Sequence, residues 1–265
     1  MRDIWLVILL YILVSPQGST EQLAEANSFP SHDCDHKICI VTEHLEPYQI
    51  QLASGELTGY AIDIVNELLA VTNSGATIQI MPWARAYNTA LRKKNTLIFS
   101  MARTPYREDK FLWVGSLIIE KLYLWSLDDT LKDKIDNLED FAPRSIATAR
   151  NTNVEQYLRQ IEYPSIKPVV VEEQNMKMLF SRRVDALIGS EITLKHRAST
   201  LGYDFNKMHK IMEVKVLEAN LIIAFNKQSD SEVVQQYRNA FQYLINSKRI
   251  KAIKEKWQIN STTDI

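Results

Sequence analysis

Short apolar runs alternate with amphipathic stretches along most of this chain. Each run is bounded by turn or charged residues, which is typical of a buried strand. The stretch at residues 61–71 has Ile62, Val65 and Leu68 at helical spacing, which predicts a helix with one buried face. The predicted strands are 38–42, 77–81 and 97–101, and the predicted helices are 61–71 and 83–93. Strands that alternate with helices predict an α/β fold with a mainly parallel sheet.

The same alternation occurs a second time further along the chain. The predicted strands there are 145–149, 167–171 and 184–188, and the predicted helices are 154–160, 175–182 and one near Leu194. In both units a serine follows a helix end, a basic turn and a buried strand. This serine is Ser100 in the first unit and Ser190 in the second. If the two units face each other, we expect both serines to line one cleft.

Two long apolar segments, 117–127 and 214–225, flank the second unit. We interpret them as strands that cross between two lobes, and two crossings would form a hinge that closes around a ligand. Helices predicted at 233–246 and 248–257 would then return the chain to the first lobe. The predicted organisation is lobe 1 at 38–120, lobe 2 at 121–214 and a return to lobe 1 at 215–265.

The composition supports a globular protein and gives no indication of a nucleic-acid or acidic-membrane partner. The 265 residues are 46% hydrophobic, and 31 Lys and Arg residues balance 32 Asp and Glu residues. A formal net charge of −1 provides no general attraction to nucleic acid or to an acidic membrane surface. The basic run 248–254 has Ile250, Ile253 and Trp257 on one helical face, so we interpret its lysines as a solvated face opposite the core.

The amino terminus is typical of an export signal. Arg2 precedes the apolar run 4–14, which is too short to span a bilayer comfortably. Cleavage near Gly18 and cleavage after the small-x-small pattern at 24–26 both fit the sequence. We therefore predict a signal and processing region at 1–26 and an exported, periplasmic mature protein without a membrane-spanning segment.

Export affects how the two cysteines are interpreted. Cys34 and Cys39 lie just before and within the first predicted strand, and in an oxidising compartment they are expected to form a small-loop disulfide. The alternative is a metal site, because His32 and His36 lie among them. Their spacing matches no standard zinc pattern, so we predict no metal site.

Candidate binding chemistry follows the strand that ends near Ser100. Two arginines, Arg103 and Arg107, follow it in a turn, and in an open α/β sheet ligands bind at the carboxyl ends of strands. Because guanidinium grips a carboxylate through two parallel hydrogen bonds, this pattern points to a small carboxylate-bearing molecule. The alternative is that the arginines only cap or solvate the turn. Trp83 and Arg85 open a helix at another strand end, where they could stack on a ligand or contact an anion.

Four motifs, in this order and spacing, resemble those of one protein family. They are Pro47-Tyr48, Gly59-Tyr60-Ala61-Ile62-Asp63-Ile64, Thr104-Pro105-Tyr106-Arg107 and Val184-Asp185-Ala186-Leu187-Ile188. On these residues the chain resembles the family 3 solute-binding proteins of bacterial ABC transporters, the group of polar amino-acid binders. The resemblance covers nearly all of the predicted mature chain and implies a two-lobed, type II periplasmic binding fold that closes on its ligand.

The resemblance also implies roles for individual residues. Arg107 matches the arginine that clamps an α-carboxylate, Ser100 a position that hydrogen-bonds the ligand, and Tyr48 an aromatic that packs on the ligand side chain. Thr152 and Asn153 lie where the second lobe offers a helix amino terminus to the carboxylate, which suits an anion physically.

The chain departs from the family pattern at several positions. Ser190 lies where amino-acid binders commonly carry the aspartate that holds the ammonium, and a buried ammonium without a carboxylate partner is costly. Glu191 and Glu43 are candidate substitutes for that aspartate. Other departures are Ala61, Ala102, Tyr106 and Asn151.

Three functions are compatible with these residues. The first is a non-enzymatic, monomeric protein without a cofactor that binds a small solute for a membrane transporter permease. The second is an enzyme similar to cyclohexadienyl dehydratases, with Glu43, Glu191 and His44 as candidate acids and bases. The third is an exported sensor partner that presents its ligand-bound form to a membrane receptor.

Overall fold

The computed structural model of this protein describes residues 37–259. The predicted signal region at 1–26 lies outside the described residues, as do Cys34, His32 and His36. Cys39 is buried on a strand, and its pairing with Cys34 stays a prediction. Within residues 37–259, no helix is long and apolar enough to cross a membrane.

Strands and helices alternate as the hydrophobic pattern predicts. The strands are β1 (Cys39–Thr42), β2 (Ile50–Gln51), β3 (Leu57–Thr58), β4 (Ile78–Ile80), β5 (Thr96–Ala102), β6 (Phe111–Glu120), β7 (Tyr123–Ser126), β8 (Ile146–Ala149), β9 (Ile166–Val169), β10 (Ala186–Gly189), β11 (His209–Glu213) and β12 (Ala219–Asn226). The helices are α1 (Tyr60–Val71), α2 (Trp83–Arg92), α3 (Leu138–Phe141), α4 (Asn153–Gln160), α5 (Glu172–Phe180), α6 (Glu191–Thr200), α7 (Ser231–Asn246) and α8 (Arg249–Lys256).

The strands form two five-stranded sheets and one two-stranded hairpin. The first sheet has the order β4-β1-β5-β12-β6 and the second has the order β11-β7-β10-β8-β9. In the first, β1 pairs in parallel with β4 and β5, and in the second, β8 pairs in parallel with β9 and β10. The remaining pairings are antiparallel. The two-lobed α/β prediction is confirmed, with mixed sheets in which the parallel strands form one side.

Both predicted crossing strands are interrupted, which corrects that expectation. Residues 117–127 comprise the end of β6, a break at Lys121 and Leu122, and then β7. Residues 214–225 begin with a short 3-10 helix, Lys215–Leu217, before β12 starts. The interruption has a simple cause, because β6 and β7 belong to different sheets and the chain must leave one ladder to join the next. The Val214 N–H donates to the Leu122 carbonyl at 2.8 Å, so the two connections are tied together.

The glycine of the Gly-Tyr-Ala-Ile-Asp-Ile motif is required for steric reasons. Gly59 precedes α1 with φ of +130°, and a Cβ there would lie 2.4 Å from the Tyr48 carbonyl oxygen. Any other residue would clash with this backbone and strain its own. The close approach allows the Ala61 N–H to donate to the same carbonyl at 2.9 Å, which fixes Tyr48 against the start of α1.

The acid of the same motif anchors the carboxyl-terminal helix. Asp63 Oδ2 accepts hydrogen bonds from Trp257 Nε1 at 2.7 Å and from Lys256 Nζ at 2.8 Å. Ile250 is buried, and Ile253 packs with Trp257 against the same core, as the helical spacing predicts. The carboxyl-terminal helices therefore return to the first sheet, where α7 contacts α1 and β6.

Candidate functional site

A cavity lies between the elements of the two sheets, next to the ends of β5 and β10. It has an empty volume of about 640 Å³, its open mouth included. The residues predicted from the sequence that line it are Trp83, Ser100, Arg107, Thr152, Asn153 and Ser190. The structure thus brings these six residues from distant parts of the chain to one place, at the strand ends where ligands of α/β sheets bind.

Arg107 is the most deeply buried charge of this cavity. Only 1% of the residue is exposed, and burial lowers the pKa of its guanidinium group. Nη1 donates to the Ala102 carbonyl and Nη2 donates to the Asn151 carbonyl, each at 2.9 Å. Nε has no hydrogen-bond partner among the described residues. Since a guanidinium group carries five N–H donors, Arg107 retains donors that a carboxylate can use.

Two aromatic rings hold the Arg107 guanidinium in place. Its carbon lies 5.4 Å from the centroid of the Trp83 ring and 4.9 Å from the centroid of the Tyr87 ring. The two rings stack on each other with centroids 5.8 Å apart. Guanidinium groups are attracted to aromatic faces at such distances, so the first turn of α2 orients the arginine.

The Asn151 carbonyl connects the two sides of the cavity. It accepts from Arg107 Nη2 and from Trp83 Nε1, each at 2.9 Å. Trp83 and Arg107 lie on helical segments that follow β4 and β5 of the first sheet, whereas Asn151 follows β8 of the second. Asn151 takes a left-handed conformation with φ of +61°, which asparagine tolerates better than most residues. The left-handed conformation at this position is therefore compatible with asparagine.

The amino terminus of α4 faces the same cavity. Thr152 is the N-cap residue, and its hydroxyl oxygen accepts from the Glu155 N–H at 3.2 Å. The N–H groups of Asn153 and Val154 donate to no acceptor among the described residues, as is usual in the first turn of a helix. Such N–H groups and the helix dipole favour a bound anion.

The two predicted serines both line the cavity but have different surroundings. Ser100 is buried with φ of +56°, and its hydroxyl donates to Gln49 Oε1 at 3.0 Å. Ser190 is the N-cap of α6, where its oxygen accepts from the Thr193 N–H at 3.2 Å. Its hydroxyl also lies 2.9 Å from the Thr193 hydroxyl. Ser190 is therefore held mainly by its own helix.

Glu120 lines the cavity although nothing in the sequence analysis singled it out. It ends β6, is 7% exposed, and accepts a hydrogen bond from the Tyr48 hydroxyl at 2.6 Å. Burial raises the pKa of its carboxyl group, and the nearby Ser190 and Tyr48 hydroxyl groups act in the opposite direction. No Lys, Arg or His between residues 37 and 259 makes an ion pair with it. In the sequence, the signal that could have indicated Glu120 was a single acidic residue at the end of an apolar run.

Glu172 and Arg197 also line the cavity, and they form an ion pair with each other. Arg197 Nη1 lies 3.4 Å from Glu172 Oε2, which also accepts from Asn175 Nδ2 at 2.8 Å. These residues lie on α5 and α6, far apart in sequence, so no local motif links them. Their charges largely cancel, which leaves the cavity wall on this side close to neutral.

Glu43 is the third carboxylate of the cavity. It follows β1 and makes no hydrogen bond or ion pair with another described residue. Burial and the nearby Glu172 carboxylate raise the pKa of Glu43 to about 8, and Arg197 and Arg107 act against that rise. With Glu120 and Glu172 it makes three carboxylates against the two guanidinium groups of Arg107 and Arg197.

Some residues named from the sequence do not line the cavity. Tyr48 is fully buried behind Glu120, with its ring 6.1 Å from the Tyr60 ring. Arg85 is exposed on α2. Arg103 is exposed and pairs with Glu108, and Glu191 is exposed and pairs with Lys210 at 2.7 Å. Their roles in binding therefore gain no support from their positions.

The part of the chain that the structure describes holds no cluster of three His, Cys, Asp or Glu side chains arranged to bind a metal ion. Of the candidate acids and bases, Glu43 lines the main cavity, and His44 lines an adjoining pocket that also contains Glu43. His44 Nε2 lies 3.4 Å from Glu46 Oε1.

The sequence model of the bacterial extracellular solute-binding proteins, family 3, matches residues 38–260. The chain belongs to this family. By description, the family consists of extracellular solute-binding proteins. No curated protein sequence matches the chain.

Solved structures with the same fold share little sequence with this family 3 chain. An ancestral arginine-binding protein bound to arginine has a TM-score of 0.71 at 17% identity, covering 83% of this chain and 97% of its own. The arginine-, lysine-, histidine-binding protein ArtJ from Geobacillus stearothermophilus has a TM-score of 0.71 at 16% identity, covering 86% and 97%. A histidine kinase sensor domain with similarity to periplasmic binding proteins has a TM-score of 0.73 at 13% identity, covering 84% and 96%. These likenesses establish the type II periplasmic binding fold.

Proposed function

We propose that this family 3 protein is exported and captures a small polar solute that bears a carboxylate, such as an amino acid, for an ABC transporter. The observation that carries the proposal is the burial of Arg107 at the cavity wall without a carboxylate partner among the described residues. A buried cation is costly unless an anion or several hydrogen bonds compensate it. A ligand carboxylate would provide that compensation.

The amino terminus of α4 supports the same ligand chemistry from the other side. Its free N–H groups at Asn153 and Val154 line the cavity that Arg107 lines. We expect the carboxylate to lie between the guanidinium group and this helix terminus, because both favour negative charge. A carboxylate held from both sides would favour closure of the lobes, and closure is the signal that a transporter reads in this proposal.

A screen of ligand classes tests the proposal. Purified mature protein would be heated with amino acids, organic acids without nitrogen and short peptides, and hits would be confirmed by native mass spectrometry. A ligand at a hundred times its Kd should stabilise the protein by about 2.7 kcal/mol, which raises the melting temperature. We expect carboxylate-bearing compounds to do so and their amide or methyl ester analogues to fail. Stabilisation by the esters and amides alone would contradict the proposal.

A sensor role is the second candidate, and the similarity to a histidine kinase sensor domain favours it. In that role the ligand-bound protein would contact a membrane receptor instead of a permease. Neighbouring genes would separate the two candidates, since a transporter role predicts permease and ATPase genes and a sensor role predicts a receptor gene. We propose binding without catalysis in both cases, and incubation of each hit with the protein should return it unchanged.

A further inference from the structure

We propose that Glu120 binds a cationic group of the ligand, an ammonium beside the carboxylate, and so replaces the aspartate that this chain lacks at Ser190. The inference rests on the proposed function, because it assigns a second charge to the same solute. It makes the ligand class a zwitterion, in contrast to a simple organic acid. The carboxylate comes from the end of β6 in the first sheet, whereas Ser190 follows β10 of the second.

The position of Glu120 supports this assignment. Its residue is more than nine-tenths buried, yet it lines the cavity that Arg107 also lines. Among the described residues, the side chain that hydrogen-bonds its carboxylate is Tyr48, whose hydroxyl donates at 2.6 Å. Among the described residues no cation pairs with it, although buried carboxylates in proteins are normally paired.

The Tyr48 hydroxyl orients this carboxylate for a cation. Its hydrogen bond at 2.6 Å stabilises the ionised form of Glu120 and so acts against the rise in pKa that burial causes. A carboxylate has about four lone-pair sites, so this one hydroxyl donor leaves others for an ammonium group. An ammonium bound there would also offset the cost of burying the carboxylate.

The other candidate carboxylates are less suited to bind the ammonium group. Glu172 already pairs with Arg197 at 3.4 Å, so it has a cation within the protein. Glu191, which the sequence suggested as a substitute, is exposed and pairs with Lys210. Glu43 is accessible in the cavity but has no hydrogen-bond donor among the described residues to orient it. Glu120 is the carboxylate that is buried, oriented and without a cation.

The test compares ligands that differ only by the ammonium group. The probes are common L-amino acids, each paired with its deamino acid, such as alanine with propionate and glutamate with glutarate, together with simple alkylamines. Binding would be measured by calorimetry on the wild-type protein and on the Glu120→Gln and Glu191→Gln variants, with melting temperature as the control for folding. Glu191 is the matched control because it is exposed outside the cavity.

We expect the wild-type protein to bind at least one amino acid roughly a hundredfold more tightly than its deamino partner. Glu120→Gln should abolish this preference, whereas Glu191→Gln should retain it. If Glu120→Gln alone does not fold, the charge-conserving double variant Glu120→Gln/Ser190→Asp is used, and it should restore the preference because both positions line the same cavity.

Equal binding of an amino acid and its deamino partner, with both lost in Arg107→Ala, would overturn this inference and leave the proposed function standing. An unchanged preference in Glu120→Gln would also overturn it. Binding of alkylamines that Glu120→Gln abolishes, without binding of any carboxylate, would support a cation site and contradict the proposed carboxylate ligand. Failure of every probe would overturn both.

Discussion

The two walls of the cavity differ in how far their polar groups satisfy one another. On the second-lobe wall, Thr152 caps α4, Ser190 caps α6, and Glu172 pairs with Arg197. Each of these groups has a partner on its own lobe. This wall is therefore a preformed surface whose side chains mainly serve the stability of the lobe.

The first-lobe wall has the opposite character. Glu120 is buried without a cation, Glu43 has no hydrogen-bond partner, and Arg107 Nε has none, all within residues 37–259. Burial of the charges of Arg107 and Glu120 carries a desolvation cost that ligand groups of opposite charge would offset. From this difference we expect affinity to depend mainly on the first-lobe wall, whereas substitutions on the second-lobe wall should change stability with little effect on affinity.

The largest expected effect comes from Arg107→Ala. If this arginine binds the ligand carboxylate in a desolvated cleft, its removal should cost on the order of 3 kcal/mol, which is more than a hundredfold in affinity. Arg107→Lys should also bind poorly, since an ammonium cannot form the two parallel hydrogen bonds of a guanidinium group. Calorimetry with a hit from the ligand screen measures both.

Arg103→Ala is the matched control, because Arg103 comes from the same turn but is exposed and paired with Glu108. We expect its affinity to equal that of the wild type. The melting temperature of each variant separates loss of binding from loss of fold. Unchanged affinity in Arg107→Ala would mean that the arginine is structural, and the assignment of the first-lobe wall would fail.

The next effect is a dependence of stability on pH through Glu43. Its pKa is about 8 in the folded protein, so the folded state holds a proton that the unfolded chain releases near pH 4.5. The free energy of unfolding should therefore fall as the pH rises from about 5 to about 8. Glu43→Gln should reduce this slope, and thermal melts across that pH range measure it.

Glu191→Gln serves as the comparison for Glu43→Gln, since Glu191 lies outside the cavity and pairs with Lys210 at the surface. It should leave the slope as in the wild type. The same slope in Glu43→Gln as in the wild type would show that Glu43 does not carry the pH dependence.

The smallest effect should come from the second-lobe wall. Thr152→Ala removes the side-chain cap of α4 and should cost about 1 kcal/mol of stability, with the backbone N–H groups left in place. Thr152→Ser keeps the cap and should behave as the wild type. We expect affinity to change less than about tenfold, since that corresponds to 1.4 kcal/mol. A hundredfold loss of affinity in Thr152→Ala at an unchanged melting temperature would contradict the distinction between the two walls.

The hydrophobic pattern was sufficient to predict helices and strands and to locate part of the cavity lining. The periodicity at 61–71 predicted α1, and the apolar run at 97–101 predicted β5, because burial of one face or one strand is a local property of the sequence. Arg107 and Ser190 were found because they follow such strands in recognisable motifs. Their position in one cavity agrees with that reasoning.

The rest of the site depends on contacts between distant elements. Glu120 lay within an apolar segment that was predicted as one crossing strand, and only the break after it brings its carboxylate to the cavity. Tyr48 matched a motif, but its hydroxyl turns to Glu120 and the ring does not line the cavity. Glu172 and Arg197 pair across two helices, a contact that no spacing in the sequence indicates.

A crystal structure of the protein with an amino acid identified in the screen tests the account most directly. We predict a ligand carboxylate oxygen at about 2.7–3.2 Å from a guanidinium nitrogen of Arg107, and a ligand ammonium at the same distance from a carboxylate oxygen of Glu120. The account would be contradicted if Arg107 bonded only to the Ala102 and Asn151 carbonyls and Glu120 only to hydroxyl groups, with the ligand charges held elsewhere.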